Sequence, residues 1–295
     1  MSAGDLFADL PEEPAPRAAD PGRRIFVGTS GYSFADWVGP FYPPGTRPGD
    51  YLSWYARHFD TVEVNSTYYR VPPPDAIEKM ARKTPPGFRF MVKVNQAMTH
   101  ERTLEPALVG GFRAALEPLR AAGKLDGLLA QFPWGFRRTR ENETHLSALR
   151  DSLAGEPLFV EFRHASWAAP DLAGWLRERR LGYCAVDEPP LEGLMPPLAL
   201  VTGEDAYVRF HGRNARNWWG GRPAAAGGGK REAGSGDRYD YDYRADELKE
   251  WVQKVRELAE KARRTYLFFN NCHAGQAARS AKLMQELLRQ QNLPA

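Results

Sequence analysis

The chain has 295 residues, of which 42% are hydrophobic and 26% charged, and this globular composition is long enough to bury a continuous core. Its apolar runs fall far short of the ~20 residues that a membrane span needs, and two cysteines, Cys184 and Cys272, are too few for a disulfide framework. We therefore expect a soluble cytoplasmic protein with free thiols and no membrane partner. The formal net charge of +3 favours an anionic ligand only where basic residues cluster.

Two segments are predicted to lack stable structure. Residues 1–24 are rich in Pro, Ala, Asp and Glu and predict a disordered tail, without the basic head and long apolar stretch of a secretory signal. Residues 220–242 are rich in glycine and polar side chains and predict a long mobile loop inserted after the seventh strand. Residues 25–295 are predicted to form one domain around that insertion.

Eight short β-rich runs alternate with helical patterns in this domain. The runs are 25–29, 61–65, 88–94, 127–132, 158–162, 182–187, 206–211 and 265–271. Several are nearly continuous apolar stretches, which is typical of parallel strands buried on both faces. The clearest helical stripes are the last two, which begin at Leu248 and Ala277. Eight strand-then-helix units in a chain of this length predict an α/β fold, the (β/α)8 TIM barrel.

Polar side chains are dense at the ends of the predicted strands, where barrels of this type carry their active sites. Residues two apart on a strand point the same way, so one set from each strand is expected to face the barrel axis. The carboxylates expected at this mouth are Glu63, Glu161 and Asp187. The cations expected there are Lys93, Arg163 and Arg209.

Acid–base catalysis is the first role predicted for this set, with Asp187 counted among the catalytic carboxylates. Glu161 or Glu63 would act as the general base, and His211 or His100 as the general acid, because neighbours can tune their pKa values towards neutral pH. The three cations would hold a phosphate or carboxylate of the substrate. Further substrate-binding residues are predicted at the strand ends: Tyr32, Asn65, Tyr69, Arg70, Gln131, His164, Trp167, Arg213, Asn270, Asn271 and His273.

Two other interpretations of these residues stay open. The charged cluster could be a buried ionic plug, although burying a charge costs several kcal/mol that pairing only partly returns. The histidines and acids could instead hold a divalent metal, but no HExxH spacing supports this and three nearby cations would repel a metal. We therefore expect no cofactor. The metal ligands would come from His100, His164, His211, His273, Glu63, Glu161 and Asp187.

A basic and aromatic segment follows the seventh predicted strand. It combines arginines with two tryptophans and contains no acids, a composition that suits phosphate backbones and stacked bases. Its members are Arg209, Arg213, Arg216, Trp218, Trp219 and Arg222. A second basic run is Arg137, Arg138 and Arg140. Nucleic acid is therefore an alternative partner, beside a solvated loop with no ligand.

The motifs at the strand ends resemble those of the YecE-like proteins, also called domain of unknown function family 72. The resemblance covers about residues 25–288. It rests on Gly28-Thr29-Ser30-Gly31-Tyr32, Trp37, Val62-Glu63-Val64-Asn65-Ser66-Thr67-Tyr68-Tyr69-Arg70, Phe90-Met91-Val92-Lys93-Val94, Thr99-His100, Gln131-Phe132-Pro133, Val160-Glu161-Phe162-Arg163-His164, Ser166-Trp167, Arg209-Phe210-His211-Gly212-Arg213, Asn270-Asn271, His273 and Gly275. It implies a (β/α)8 barrel and brings no assigned reaction. The glycine-rich loop after Trp219 is longer than the family pattern leads us to expect.

The sequence thus predicts an enzyme that performs carboxylate and histidine acid–base chemistry on an anionic substrate, phosphorylated or polyhydroxylated. A metal-dependent phosphodiesterase or nuclease acting on nucleic acid is one alternative. A non-catalytic binding protein for an anionic metabolite or nucleic acid is another. The reaction class, whether hydrolase, isomerase or lyase, and the oligomeric state are left open by the sequence.

Overall fold

Each of the eight β-rich runs forms a strand in the computed structural model, which describes residues 25–219 and 237–293. The strands are β1 (Ile25–Thr29), β2 (Thr61–Val64), β3 (Arg89–Lys93), β4 (Leu125–Gln131), β5 (Leu158–Glu161), β6 (Gly182–Asp187), β7 (Ala206–Phe210) and β8 (Thr265–Phe269). They are hydrogen-bonded in parallel in the order β1-β8-β7-β6-β5-β4-β3-β2. The predicted (β/α)8 barrel is confirmed.

The barrel closes between β1 and β2 at its C-terminal end. Ser30 and Glu63 form a parallel bridge there, and the Gly31 amide donates to the Glu63 carbonyl at 2.8 Å. Gly28 lets the two strands approach, because a Cβ at this position would lie 2.4 Å from the carbonyl oxygen of Thr61. The closure places Glu63 at the seam of the barrel mouth.

Helices surround the strands and bury apolar stripes against them. They are α1 (Tyr51–Tyr55), α2 (Ser66–Tyr69), α3 (Pro74–Arg82), α4 (Gln96–Thr99), α5 (Pro106–Ala115), α6 (Glu117–Ala121), α7 (Arg140–Ser152), α8 (Leu172–Glu178), α9 (Ala245–Lys261) and α10 (Gln276–Gln290). The two stripes predicted from Leu248 and Ala277 lie on α9 and α10 and are buried. Residues 188–205, between β6 and β7, contain no helix.

A cluster of buried side chains fills the inside of the barrel beneath the mouth. Its members, one or two per contributing strand, are Phe26, Met91, Leu129, Phe159, Cys184, Tyr207, Tyr266 and Phe268. Side chains two positions further along β3, β4, β5 and β7 also face the axis, because strand side chains alternate. This rule places Lys93, Gln131, Glu161 and Arg209 on the axis side of their strands, nearer the mouth.

The predicted disordered tail, 1–24, and residues 220–236 of the predicted mobile loop lie outside the described residues. The end of that loop is described, and its 3₁₀ turn, Asp237–Tyr239, lies at the mouth. The ring of Tyr239 lies 6.0 Å from that of His211 and 6.4 Å from that of Trp218. None of the helices in the described part of the chain has the length and apolar character to cross a membrane.

Candidate active site at the barrel mouth

Arg209 forms the centre of a buried charge network inside the mouth. Its Nη2 donates to Glu63 Oε1 at 2.7 Å, and its Nη1 donates to Glu161 Oε2 at 2.8 Å. The remaining Glu63 oxygen accepts from the Tyr207 hydroxyl at 2.6 Å. All four side chains are almost completely buried. The two terminal nitrogens of Arg209 are therefore engaged by protein carboxylates, and Arg209 positions Glu63 and Glu161.

Arg163 extends this network towards the end of β6. Its Nε donates to Glu161 Oε1 at 2.6 Å, and its Nη1 donates to Glu188 Oε2 at 2.9 Å. The other Glu188 oxygen accepts from the Met195 amide at 3.2 Å. Glu188 also lines a side cavity of about 410 Å³, next to Leu191 and Pro196. Glu188 was not among the predicted site residues.

The two carboxylates on Arg163 have opposite pKa shifts. Burial alone would raise the pKa of Glu161, but the charges of Arg163 and Arg209 outweigh it and hold this pKa well below its usual range. Burial raises the pKa of Glu188 to about 7, because Arg163 opposes the shift only in part. Glu161 therefore stays ionised and is a weak proton acceptor, whereas Glu188 exchanges a proton near neutral pH.

His211 is a neutral imidazole in this network. Burial and the nearby Arg163 lower its pKa to about 3. Its Nδ1 lies 3.1 Å from Asn270 Nδ2 and 3.4 Å from Arg163 Nη2, and both of these nitrogens are donors. Nδ1 must therefore accept, which leaves the proton on Nε2, 3.2 Å from Glu161 Oε1.

Lys93 differs from the two arginines in its partners. Its Nζ donates to Gln131 Oε1 at 2.9 Å and lies 4.1 Å from the centroid of the Tyr68 ring. Within the described ranges, no carboxylate lies within ion-pair distance of this amine. Burial, reinforced by the charge of Arg209, lowers the pKa of Lys93 to about 7. Lys93 is thus a mouth cation that titrates near neutral pH.

Asp187 does not face the barrel axis, which corrects the predicted acidic set. It lies three positions after the inward Cys184, and this odd offset turns it to the outer face of β6. There it accepts from Trp251 Nε1 at 2.5 Å and from the Tyr243 hydroxyl at 2.6 Å. Arg213 Nη2 donates to it at 2.7 Å. Asp187 and Arg213 therefore join α9 to the barrel wall.

Several predicted residues surround the charge network as a rim. His100 is edge-on to the Tyr68 ring, and burial together with Lys93 lowers its pKa to about 4. The Tyr69 side chain is 73% exposed. Tyr32, Asn65, Gln131 and Asn270 are partly buried, and Arg70 is exposed. Their role in binding a ligand stays a prediction.

Other predicted substrate-binding residues have different surroundings. Trp167 is fully buried in the outer layer, where its ring stacks on Phe162 and its Nε1 donates to the Phe136 carbonyl. Asn271 is buried and donates to the Tyr241 carbonyl. His164 accepts from the Ser166 amide, and His273 is exposed beside Asp240. None of the contacts named for these four residues reaches the charge network.

The four histidines proposed as metal ligands do not converge. In the part of the chain that the structure describes, no three His, Cys, Asp or Glu side chains are arranged to hold a metal ion. His211 lies in the charge network, His100 beside Tyr68, and His273 beside Asp240. The Nδ1 atom of His211 faces two hydrogen-bond donors, Asn270 Nδ2 and Arg163 Nη2, and, among the described residues, no metal-ligating side chain.

Known proteins resemble the chain over nearly all of its length. A sequence model described as protein of unknown function DUF72 matches residues 26–295. YunF of Bacillus subtilis is 33% identical over 284 residues, which cover 90% of this chain and 94% of YunF. YecE of Escherichia coli O157:H7 is 30% identical over 184 residues, 58% of this chain and 62% of YecE.

Solved structures agree with these sequence matches. The crystal structure of a DUF72 family protein from Thermotoga maritima has a TM-score of 0.80 at 39% identity, and the match covers 90% of this chain and all of that one. A DUF72 family protein from Enterococcus faecalis has a TM-score of 0.77 at 27% identity, over 90% of this chain and 95% of that one. None of these descriptions states an activity.

Proposed function

The chain belongs to the DUF72 family, and because the family description states no reaction, we propose from the mouth itself that the protein is an enzyme. It performs acid–base chemistry on an anionic small molecule, phosphorylated or polyhydroxylated, at the C-terminal end of the barrel. The observation that carries this proposal is the hydrogen-bond partner of the Lys93 amine. Its amine is partnered by an amide oxygen, in a mouth where both arginines hold carboxylates.

Lys93 stands apart from the ion-paired groups of the mouth. Arg163 and Arg209 donate to the carboxylates of Glu63, Glu161 and Glu188 at 2.6 to 2.9 Å. The Lys93 amine instead donates to the neutral Gln131 Oε1 at 2.9 Å. An anionic group of a substrate would gain most by approaching this amine, because a charge-assisted hydrogen bond is stronger than a neutral one.

Proton transfer in this mouth falls to groups with a pKa near 7. Lys93 and Glu188 both meet that condition, whereas Glu161 stays ionised and His211 stays neutral. A catalytic acid or base works best when its pKa lies near the operating pH. We therefore assign proton exchange to Lys93 and Glu188, the positioning of Lys93 to Gln131, and the positioning of Glu188 to Arg163.

A binding and turnover screen tests this function. The purified chain is titrated calorimetrically with sugar phosphates, hydroxy acids and oxo acids, and each mixture is analysed for products by mass spectrometry. We expect saturable binding of at least one anion and its conversion, with both lost in Lys93→Met. An exposed lysine variant, Lys79→Met, serves as the matched control. Equal binding by the parent and Lys93→Met, or binding without any product, would contradict the proposal.

A nucleic-acid partner is the second candidate, and the exposed aromatic side chains favour it. Among the described residues, the large exposed aromatic side chains are Tyr69, Trp134 and Trp219. All three follow the C-terminal ends of strands, and the Arg137 guanidinium lies 5.4 Å from the Trp134 ring centroid. Aromatic and cationic side chains at one rim suit stacked bases and phosphates. Salt-dependent binding of single-stranded DNA, with cleavage only when divalent metal is added, would promote this candidate.

A further inference from the structure

We propose that Lys93 is a covalent catalyst, whose amine attacks the carbonyl carbon of an anionic aldehyde or ketone and forms an imine with it. The inference rests on the proposed function, because it names the substrate class of the same site. It extends the role of Lys93 from proton exchange to bond formation.

The Lys93 amine is held by uncharged groups that do not neutralise it. Its hydrogen-bond partner is the neutral Gln131 Oε1 at 2.9 Å, and its Nζ lies over the face of Tyr68. Lys124 shows the contrasting arrangement. The Lys124 amine donates to Ala81 O at 2.7 Å, to Thr84 O at 2.7 Å and to Thr84 Oγ1 at 2.9 Å. All three of its donors are used, so Lys124 is a structural lysine.

Charged groups of both signs face Lys93 across the mouth. Arg209 on β7 and Arg163 after β5 disfavour its protonated form, and Glu161 and Glu63 favour it. Tyr68 on α2 and His100 after α4 complete its surroundings. A lysine becomes a nucleophile when burial and adjacent cations keep part of it unprotonated, and this combination is present here.

The chemistry balances without any oxidant, reductant or metal. The neutral Lys93 amine adds to the carbonyl carbon, so that an N–C bond forms and the C=O group becomes C–OH in a carbinolamine. This intermediate takes up one proton from solvent and loses water, which leaves a protonated imine. The imine nitrogen thereby regains the positive charge that the amine lost on deprotonation, and the carboxylates of Glu161 and Glu63 favour a cation at this position.

Reductive trapping with the smallest anionic aldehyde tests the inference. The full chain is mixed with glyoxylate at neutral pH and reduced with sodium borohydride, and the carboxymethylated lysines are located by peptide mass spectrometry. We expect Lys93 to be labelled at least about tenfold faster than the exposed Lys79 and Lys261, since burial lowers the pKa of Lys93 to about 7 and so leaves much of its amine neutral at this pH. Propanal, a neutral aldehyde, should label Lys93 more slowly than glyoxylate does.

Two comparisons decide the outcome. The buried Lys124, whose pKa is also lowered, should stay unlabelled because its amine is closed by three acceptors. In Lys93→Arg the fast-labelled peptide should disappear while the other lysines react as before. Labelling of Lys93 no faster than that of the exposed lysines would overturn the imine.

Trace acetylation separates failure of the imine from failure of the proposed function. Acetic anhydride reports the accessibility and pKa of each amine and requires no carbonyl chemistry. If Lys93 is acetylated rapidly near pH 7 but glyoxylate gives no adduct, the imine is wrong and the acid–base proposal stands. If Lys93 resists both reagents, its amine is inaccessible and both proposals fail.

Discussion

Arg209 and Glu161 form an ion pair inside the barrel, with Nη1 and Oε2 separated by 2.8 Å and both side chains almost fully shielded from solvent. Arg209 holds Glu63 in the same way on its other nitrogen, at 2.7 Å. Each carboxylate is thus paired with a guanidinium that also fixes its direction. The network forms a charge-paired frame inside the mouth, and Glu188 is joined to it through Arg163.

Removal of Arg209 should destabilise the fold strongly. Arg209→Met leaves Glu63 and Glu161 buried without their shared cation, and we expect the free energy of unfolding to fall by about 3–5 kcal/mol. Urea denaturation followed by circular dichroism measures this. Arg47→Met, which breaks an exposed pair with Asp50, should cost less than about 1 kcal/mol. Equal losses in the two variants would show that the network is not the frame described.

Removal of the Lys93 amine should not destabilise the fold appreciably. Lys93→Met loses one hydrogen bond to a neutral amide but also removes a poorly solvated charge, so we expect any loss of stability to stay below about 1 kcal/mol. Lys124→Met should lose about 2 kcal/mol or more, because its three oxygen acceptors would be left unpaired. Thermal and urea unfolding of the two variants provide the comparison. A larger loss for Lys93→Met than for Lys124→Met would assign Lys93 a structural role.

The stability difference between the parent and Lys93→Met should depend on pH. The pKa of Lys93 is about 7 in the folded chain and ~10.4 when unfolded, so the unfolded chain binds more protons between these values. The parent should therefore gain stability relative to the variant as the pH rises from 7 to 9, at no more than about 1.4 kcal/mol per pH unit. Urea titrations at several pH values measure this slope. Parallel stability profiles for the two proteins would refute the shift.

Asp187 should prove structural. Asp187→Asn weakens the charge-assisted hydrogen bonds from Trp251, Tyr243 and Arg213, and we expect a loss of about 2–3 kcal/mol in unfolding free energy. Asp246→Asn, at an exposed position on α9, is the control. Glyoxylate labelling of Lys93 should be unchanged in folded Asp187→Asn. Loss of that labelling without loss of stability would restore Asp187 to the catalytic set.

The sequence was sufficient to predict the barrel and much of the mouth. Apolar runs with helical stripes between them determine the eight strands, and alternation on β3, β5 and β7 correctly turned Lys93, Glu161 and Arg209 to the axis. These inferences depend on local spacing alone. They need no knowledge of which strands are neighbours across the barrel.

The sequence analysis failed where the role of a residue depends on which face of a strand it occupies, or on a partner far away in the chain. On β6 the apolar run gives no alternation, so the sequence did not show that Cys184 faces inward, or that Glu188 rather than Asp187 joins the network. Once the structure shows that Cys184 faces the axis, alternation places Glu188, four positions later, on the same side. Likewise, the pairing of Arg209 with Glu63 spans 146 residues, and no local pattern reveals it.

Direct measurement of the pKa of Lys93 tests the acid–base and imine chemistry proposed for its amine. The lysines are dimethylated with ¹³C-formaldehyde, the Lys93 signal is assigned by its absence in Lys93→Arg, and its NMR shift is followed between about pH 5 and pH 11. We expect a midpoint near pH 7 for Lys93, well below the ~10.4 of an ordinary lysine amine. If Lys93 instead titrated at the same pH as the exposed lysines, this result would contradict both the acid–base role and the imine chemistry assigned to this mouth.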